Sequence, residues 1–207
     1  MGDRDDPQLV VGFDLDMTLI DTVPGFTATL SALGAELGVD FGAEEMTSRL
    51  GPPLGGLVGA YLPEEQVEAA IARFRELYPG LAIESTLLLP GAAEAIAAVR
   101  GHGGRVVVVT GKFRPNAQLH VDHLGLDLDH LEGEVWGVGK ADVLRQEGAS
   151  IYVGDHVHDV EGALAADALS VSVLTGGCTR EELLAAGTQV VLDDLRDFPS
   201  WLAGHVV

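Results

Sequence analysis

The sequence predicts an α/β protein: an open, mostly parallel sheet with helices on both faces, interrupted by an all-helical insertion. Three observations carry this. Short apolar runs at residues 9–13, 105–109 and 149–153 stop abruptly at polar residues, as strands buried on both faces do. Between and after them come stretches of helical period, so strand and helix alternate. From Asp21 to about Leu81 no strand is evident, and helical stretches follow one another instead.

The first strand is 9–13 (LVVGF), ending at Asp14 and Asp16. A helix follows over 24–37, with Phe26, Leu30, Leu33 and Leu37 on one side, Pro24 in its first turn and Gly38 as its stop. Residues 44–50 suit a short helix. Gly51-Pro52-Pro53 breaks the chain before an apolar segment over 54–62. A clearer amphipathic helix covers 63–78, with Val67, Ala70, Ile71, Phe74 and Leu77 sharing a side and Pro79-Gly80 expected to end it.

After Pro90-Gly91 the alternation resumes. Helix 92–99 leads to strand 105–109, then helix 115–124 and a weak strand candidate at 135–138. Helix 140–146, strand 149–153, helix 159–166, strand 169–174, helix 180–186 and strand 189–192 complete the order. Right-handed crossovers between parallel strands give a Rossmann-like core over 1–20 and 86–207. The helical cap occupies 21–85.

Composition narrows the function. The chain has 207 residues, and 32 acids against 12 Lys and Arg give a net charge of -20. Such a surface repels nucleic acid and anionic membranes, so neither is expected as a partner. A small anionic substrate stays possible, because a metal or one lysine inverts the sign locally. One cysteine, Cys178, excludes an internal disulfide and a Cys-rich zinc site. The leading MGDRDDPQ has no apolar run and is not expected to be a signal peptide, which makes the cytoplasm the default address. Oligomeric state is not legible.

Ligands of such sheets bind beyond the carboxyl ends of the strands. There stand Asp14-Leu15-Asp16-Met17-Thr18, then Thr110-Gly111-Lys112, Lys140 before a strand, and Gly154-Asp155 with Asp159 a turn later. Singly, each has a plain structural reading. An Asp after a strand caps a helix, Thr110 caps a turn, and a lysine sits on the surface. Together they assemble acids, a hydroxyl and a cation from distant segments at one end of a sheet.

In that order these residues resemble the four motifs of the haloacid dehalogenase superfamily of phosphohydrolases, in the branch with a helical cap inserted after the first motif. The pattern is most similar to phosphoglycolate phosphatases and their relatives. Pro90-Gly91 matches the usual re-entry from cap to core. Ala141 stands where a proline is customary, and Met17 where glycine is commoner.

The resemblance implies Mg²⁺-dependent hydrolysis of a small phosphorylated metabolite. Asp14 is then the nucleophile that forms an aspartyl-phosphate, and Asp16 the acid that protonates the leaving oxygen and later activates water. Asp14 and Asp155 supply carboxylate oxygens to Mg²⁺, Asp16 a backbone carbonyl, and Asp159 completes or orients the site. Thr110 and Lys140 hold the phosphoryl oxygens, and Lys140 keeps Asp14 and Asp155 apart. Thr18 ties down the turn. Gly111, Lys112 and Arg114 form a rim, Arg49 is the cap residue placed to read a distal group, and His156 is a further substrate candidate. Hinge strands are expected near 20–23 and 83–89.

Several rivals share the motifs. A dehalogenase needs neither an acid two residues after its nucleophile nor a metal, so Asp16 and the Asp155/Asp159 pair argue against it. A phosphonatase adds a cap lysine, and residues 21–89 contain none. A phosphosugar mutase of the β-phosphoglucomutase type stays open. A non-catalytic interaction protein retaining the fold is the alternative of another class. The histidines lack zinc-site spacing, and the pair His120 and His123 on one helix is expected to be structural.

Overall fold

The computed structural model describes residues 8–47, 51 and 53–206. Strand β1 (Val10–Phe13) leads through β2 (Ile20–Asp21) into four helices, α1 (Val23–Leu37), α2 (Ala43–Thr47), α3 (Leu54–Val58) and α4 (Glu64–Ala82). Strand β3 (Leu87–Leu88) returns the chain, pairing antiparallel with β2 in a two-stranded ribbon. Then come α5 (Ala92–Gly101), β4 (Arg105–Val109), α6 (Arg114–Leu124), β5 (His130–Glu132), a 3₁₀ turn (Gly137–Gly139) and α7 (Lys140–Glu147). Strand β6 (Ile151–Gly154), α8 (Val157–Ala165), β7 (Leu169–Val173), α9 (Arg180–Ala186), β8 (Val190–Leu192) and α10 (Phe198–His205) finish the chain.

The six long-range strands form one parallel sheet in the order β5-β4-β1-β6-β7-β8. Residues alternate between its faces, so the central strands β4, β1 and β6 each feed two cores. Val106 and Val108 join Phe13, Ile96, Val153, Val171, Phe198 and Leu202 on the side of α5, α6 and α10. Val107 and Val109 join Leu144, Tyr152 and Ala163 on the side of α7 and α8. Burial of each such aliphatic side chain contributes about 1.5–3 kcal/mol, which is why an uninterrupted valine run is stable only here, covered on both faces.

The inserted helices form an all-helical cap with its own apolar cluster: Leu30, Leu33, Phe41, Met46, Val58, Phe74 and Tyr78 are all buried. Helices α1 and α4 pack tightly at Gly25, where a Cβ would overlap Ala82. Helix α1 stops at Gly38, which adopts the left-handed conformation (φ 68°) as expected of a glycine cap.

Several local expectations need correction. Helix α4 does not end at Pro79 but carries it inside and runs to Ala82. An interior proline costs about 3 kcal/mol. Here the buried face Ala70, Phe74, Tyr78, Ala82 continues at four-residue spacing past it, and seating Ala82 against Gly25 offsets that cost. The strand expected at 135–138 is absent; the edge strand is instead β5, His130–Glu132, whose polar ends sit at the sheet border with one neighbour only. Helix α8 starts at Val157, two residues early, because His156 caps it. Helix α10 was not expected at all. Of the short helix at 44–50, Ala43–Thr47 is observed, and 48–50 lie outside the described residues.

Candidate active site

Strands β4, β1 and β6 are adjacent and parallel, so their carboxyl ends lie side by side. Thr110 follows β4, Asp14 follows β1 and Asp155 follows β6. The turn after β1 is tightly held. The Leu15 carbonyl accepts from the amides of Thr18, Leu19 and Ile20, and the Asp14 amide donates to Val153 O at 2.8 Å. Met17 adopts a left-handed backbone (φ 58°), a conformation suited to glycine, and its carbonyl is pinned by Thr175 Oγ1 at 2.6 Å.

This arrangement brings Asp14, Asp155 and Asp159 together, each offering a carboxylate oxygen within 4.8 Å of the others. All three are buried. Thr18 Oγ1 donates to Asp155 Oδ1 at 2.9 Å, so its tie is to a site carboxylate. Lys140, at the start of α7, donates through Nζ to Asp14 Oδ1 (2.8 Å), Asp159 Oδ1 (2.6 Å) and Tyr152 Oη (2.8 Å). It was expected to separate Asp14 from Asp155; its second partner is Asp159. Asp159 also caps α8, its Oδ2 accepting from the His156 amide at 3.1 Å. Two glycines make room: a Cβ on Gly154 would overlap Asp159, and one on Gly176 would overlap Asp155 Oδ2.

Three buried carboxylates face one buried ammonium, and the imbalance shows in their acidities. Burial pushes the Asp14 carboxyl up to about 7 against the pull of Lys140. Burial, with Asp159 and Asp14 close by, also holds Asp155 well above the usual carboxylate range. For Lys140 burial acts downward, but Asp14 and Asp159 outweigh it and keep it charged. An all-oxygen donor set with surplus negative charge, seated against glycines that leave no bulk in its way, fits a hard divalent cation such as Mg²⁺.

Asp16 stands apart from this cluster. Its Oδ1 accepts from Lys112 Nζ at 2.7 Å, and the same ammonium donates to Tyr78 Oη at 2.7 Å. Tyr78 belongs to α4 of the cap. Thr110 is buried, and its Oγ1 accepts from the Lys112 amide at 3.3 Å. Gly111 and Arg114 are exposed on the rim. His156 does not face the acids with its ring nitrogen: Nδ1 accepts from the His158 amide at 3.2 Å, and the ring lies against Gly51 of the cap. Trp136 Nε1 donates to Gly51 O at 2.7 Å from the other side. Arg49 lies outside the described residues.

Tyr78, Tyr152, Thr175 and Gly176 also border the site, and no sequence motif marks them. Tyr152 was the most accessible of these: it sits in a strand whose alternation turns it toward α7, where Lys140 begins. Nothing local marks Tyr78. His120 and His123 share a helix but not an environment, the first buried and the second exposed. A groove of about 700 Å³ between α3 and α4, lined by Val67, Ile71 and Arg75, includes none of Asp14, Asp155 and Asp159, so cavity size does not locate the site.

Comparison with known proteins agrees with this geometry. The family model for haloacid dehalogenase-like hydrolases matches residues 11–164, and a HAD-hydrolase-like model matches 138–198. The phosphoglycolate phosphatase of Rhodospirillum rubrum is 29% identical, over 95% of this chain and 91% of its own length. That of Caulobacter vibrioides is 27% identical, over 91% and 88%. The structure of a predicted phosphatase from Clostridium acetobutylicum superposes with a TM-score of 0.82 at 22% identity, covering 95% of this chain and 99% of the other. With a parallel core, an inserted helical cap and a buried acid cluster at the strand ends, the chain belongs to the haloacid dehalogenase-like hydrolase family and is an enzyme of the phosphatase type.

Proposed function

We propose that the protein hydrolyses the phosphate monoester of a small metabolite, with a phosphoglycolate-like ester as the first candidate. The observation that carries this reading is the buried Asp14–Asp155–Asp159 cluster with Lys140 beside Asp14. The names of the relatives from Rhodospirillum rubrum and Caulobacter vibrioides support the choice of first substrate.

In this reading Asp14 attacks phosphorus and takes the phosphoryl group, releasing the alcohol. Asp16, two residues on and clear of the acid cluster, protonates the departing oxygen, then removes a proton from the water that hydrolyses the aspartyl-phosphate. Thr110 and Lys140 hold phosphoryl oxygens as charge shifts onto them. Asp14, Asp155 and the Asp16 carbonyl, with Asp159 alongside, would hold Mg²⁺, which would supply positive charge to offset repulsion between a carboxylate and an anionic ester. Gly111, Arg114 and Arg49 are assigned to the substrate's remainder, and His156 to the seat of the cap loop at Gly51.

The cap over 21–85 moves on the β2–β3 ribbon against the core of 1–20 and 86–207 and excludes bulk water. A net charge of -20 leaves nucleic acid outside the substrate range. Among the described residues no helix is long and apolar enough to cross a membrane. The test is kcat/KM over a panel of phosphorylated metabolites with Mg²⁺. A short carboxylated ester such as phosphoglycolate is expected to lead. Sugar-phosphate isomerisation without phosphate release would replace hydrolysis with mutase chemistry.

A further inference from the structure

The chain contains two lysines, and both are drawn into the site. Lys140 is tied to Asp14 and Lys112 to Asp16. The second pair has no counterpart in the chemistry assigned above, because Lys112 does not extend into open space toward a substrate. Its side chain is 8% exposed, and its ammonium is spent on Asp16 and on a phenol from the cap.

That phenol is set in a socket of the core. Tyr78 is 1% exposed. Its Oη meets Lys112 Nζ at 2.7 Å and His120 Nε2 at 3.2 Å, and its ring contacts His120 edge-on at 5.7 Å between centroids. The Lys112 ammonium also lies 4.5 Å from the centre of the Tyr78 ring. His120 is fully buried, and its Nδ1 has no hydrogen-bond partner among the described residues. Helix α6 therefore holds a buried imidazole whose polar contact is to a cap residue. A histidine buried in this way stays satisfied only while α4 is seated.

We infer that Tyr78 and Lys112 are positioning residues for Asp16: the cap tyrosine fixes the Lys112 ammonium, and the ammonium fixes the carboxyl that exchanges the proton. The inference rests on the proposed role of Asp16. A lysine has a flexible four-carbon stem, and one carboxylate contact leaves it several rotamers. Two anchors, one from the cap and one from the core, select a single arrangement. Lifting α4 removes the phenol and frees both Lys112 and Asp16.

The experiment compares two esters whose leaving groups differ in need of a proton. Nitrophenolate departs without one; a simple alkoxide does not. The quantity is kcat/KM, which reads the steps through departure of the alcohol and is blind to later hydrolysis of the aspartyl-phosphate. Asp16→Asn sets the reference. It should depress an alkyl phosphate far more than p-nitrophenyl phosphate. Tyr78→Phe keeps the ring in its socket and removes only the hydroxyl; Lys112→Met keeps the stem. Each should lower the alkyl ester roughly tenfold more than the nitrophenyl ester, with cooperative thermal unfolding retained. An equal fall for both esters, or no fall, overturns the inference while Asp14 and Asp16 keep their roles. An Asp16→Asn variant that affects both esters alike removes the acid role of Asp16, and the inference with it.

Discussion

The ammonium of Lys140 lies 2.8 Å from Oδ1 of Asp14, with both groups buried at the carboxyl end of β1. A buried pair of this kind is weak evidence of net stabilisation, but removing one member leaves charge uncompensated. Here the consequence is larger, because Lys140 also serves Asp159 and Tyr152. Lys140→Met should lower unfolding free energy by about 3–5 kcal/mol in metal-free buffer. Urea unfolding checks this, and an unchanged midpoint would contradict it.

Removing the other partner should act in the opposite direction. The Asp14 carboxyl is raised by burial to about 7, above its ordinary 3.8, so at alkaline pH the folded state holds an anion that the unfolded chain accommodates more easily. A raised carboxyl destabilises above its folded pKa and is relieved as pH falls through 7 toward 4. Asp14→Asn in EDTA should therefore unfold at a higher temperature than wild type near pH 8, by on the order of 2 kcal/mol, with the gap closing toward pH 5. On the proposed Mg²⁺ site, adding Mg²⁺ should reverse the order, because binding to the wild-type acids stabilises the folded state.

Gly176 offers a way to disturb the acid cluster without touching an acid. A Cβ there would overlap Asp155 Oδ2, and Asp155 is held in place by Thr18. Gly176→Ala should weaken Mg²⁺ binding by roughly 10- to 100-fold while the sheet stays intact. Titration calorimetry reads the affinity, and circular dichroism the fold. Wild-type affinity in Gly176→Ala would show that Asp155 does not depend on this clearance.

His120 predicts an acid-side instability. Burial, with Lys112 close by, lowers its pKa from 6.5 to about 4. A depressed histidine contributes stability in full above the unfolded value and loses it as pH falls from 6.5 to 4. Wild-type stability should drop by on the order of 2 kcal/mol more than that of His120→Phe across this interval, since phenylalanine takes no proton. Parallel pH profiles for the two proteins would contradict the assignment.

Legibility in the sequence followed how local each cause was. The valine run of β4 and the acids that stop β1 and β6 speak for themselves, because a doubly buried strand and its polar end are written in adjacent residues. The convergence of Asp14, Asp155 and Asp159 could be anticipated from strand ends alone, since parallel strands place those ends together. Strand β5 escaped because His130–Glu132 is polar, short and paired on one side only. The end of α4 was misplaced because proline chemistry was weighed without the tertiary seat of Ala82 on Gly25. The same error hid Tyr78, which an α4 continuing beyond it presses into the core. Lys112 was visible as a cation near the site, but its partner Asp16 is 96 residues away and its other partner is in the cap.

Magnesium-dependent release of nitrophenol from p-nitrophenyl phosphate, measured for wild type and Asp14→Asn side by side, tests the nucleophilic role of Asp14 most directly. The wild type should turn over with Mg²⁺ and stop in EDTA, and Asp14→Asn should fold normally yet lose about a thousandfold or more of the rate. Undiminished turnover by Asp14→Asn, or a folded wild type inert with Mg²⁺, would contradict it.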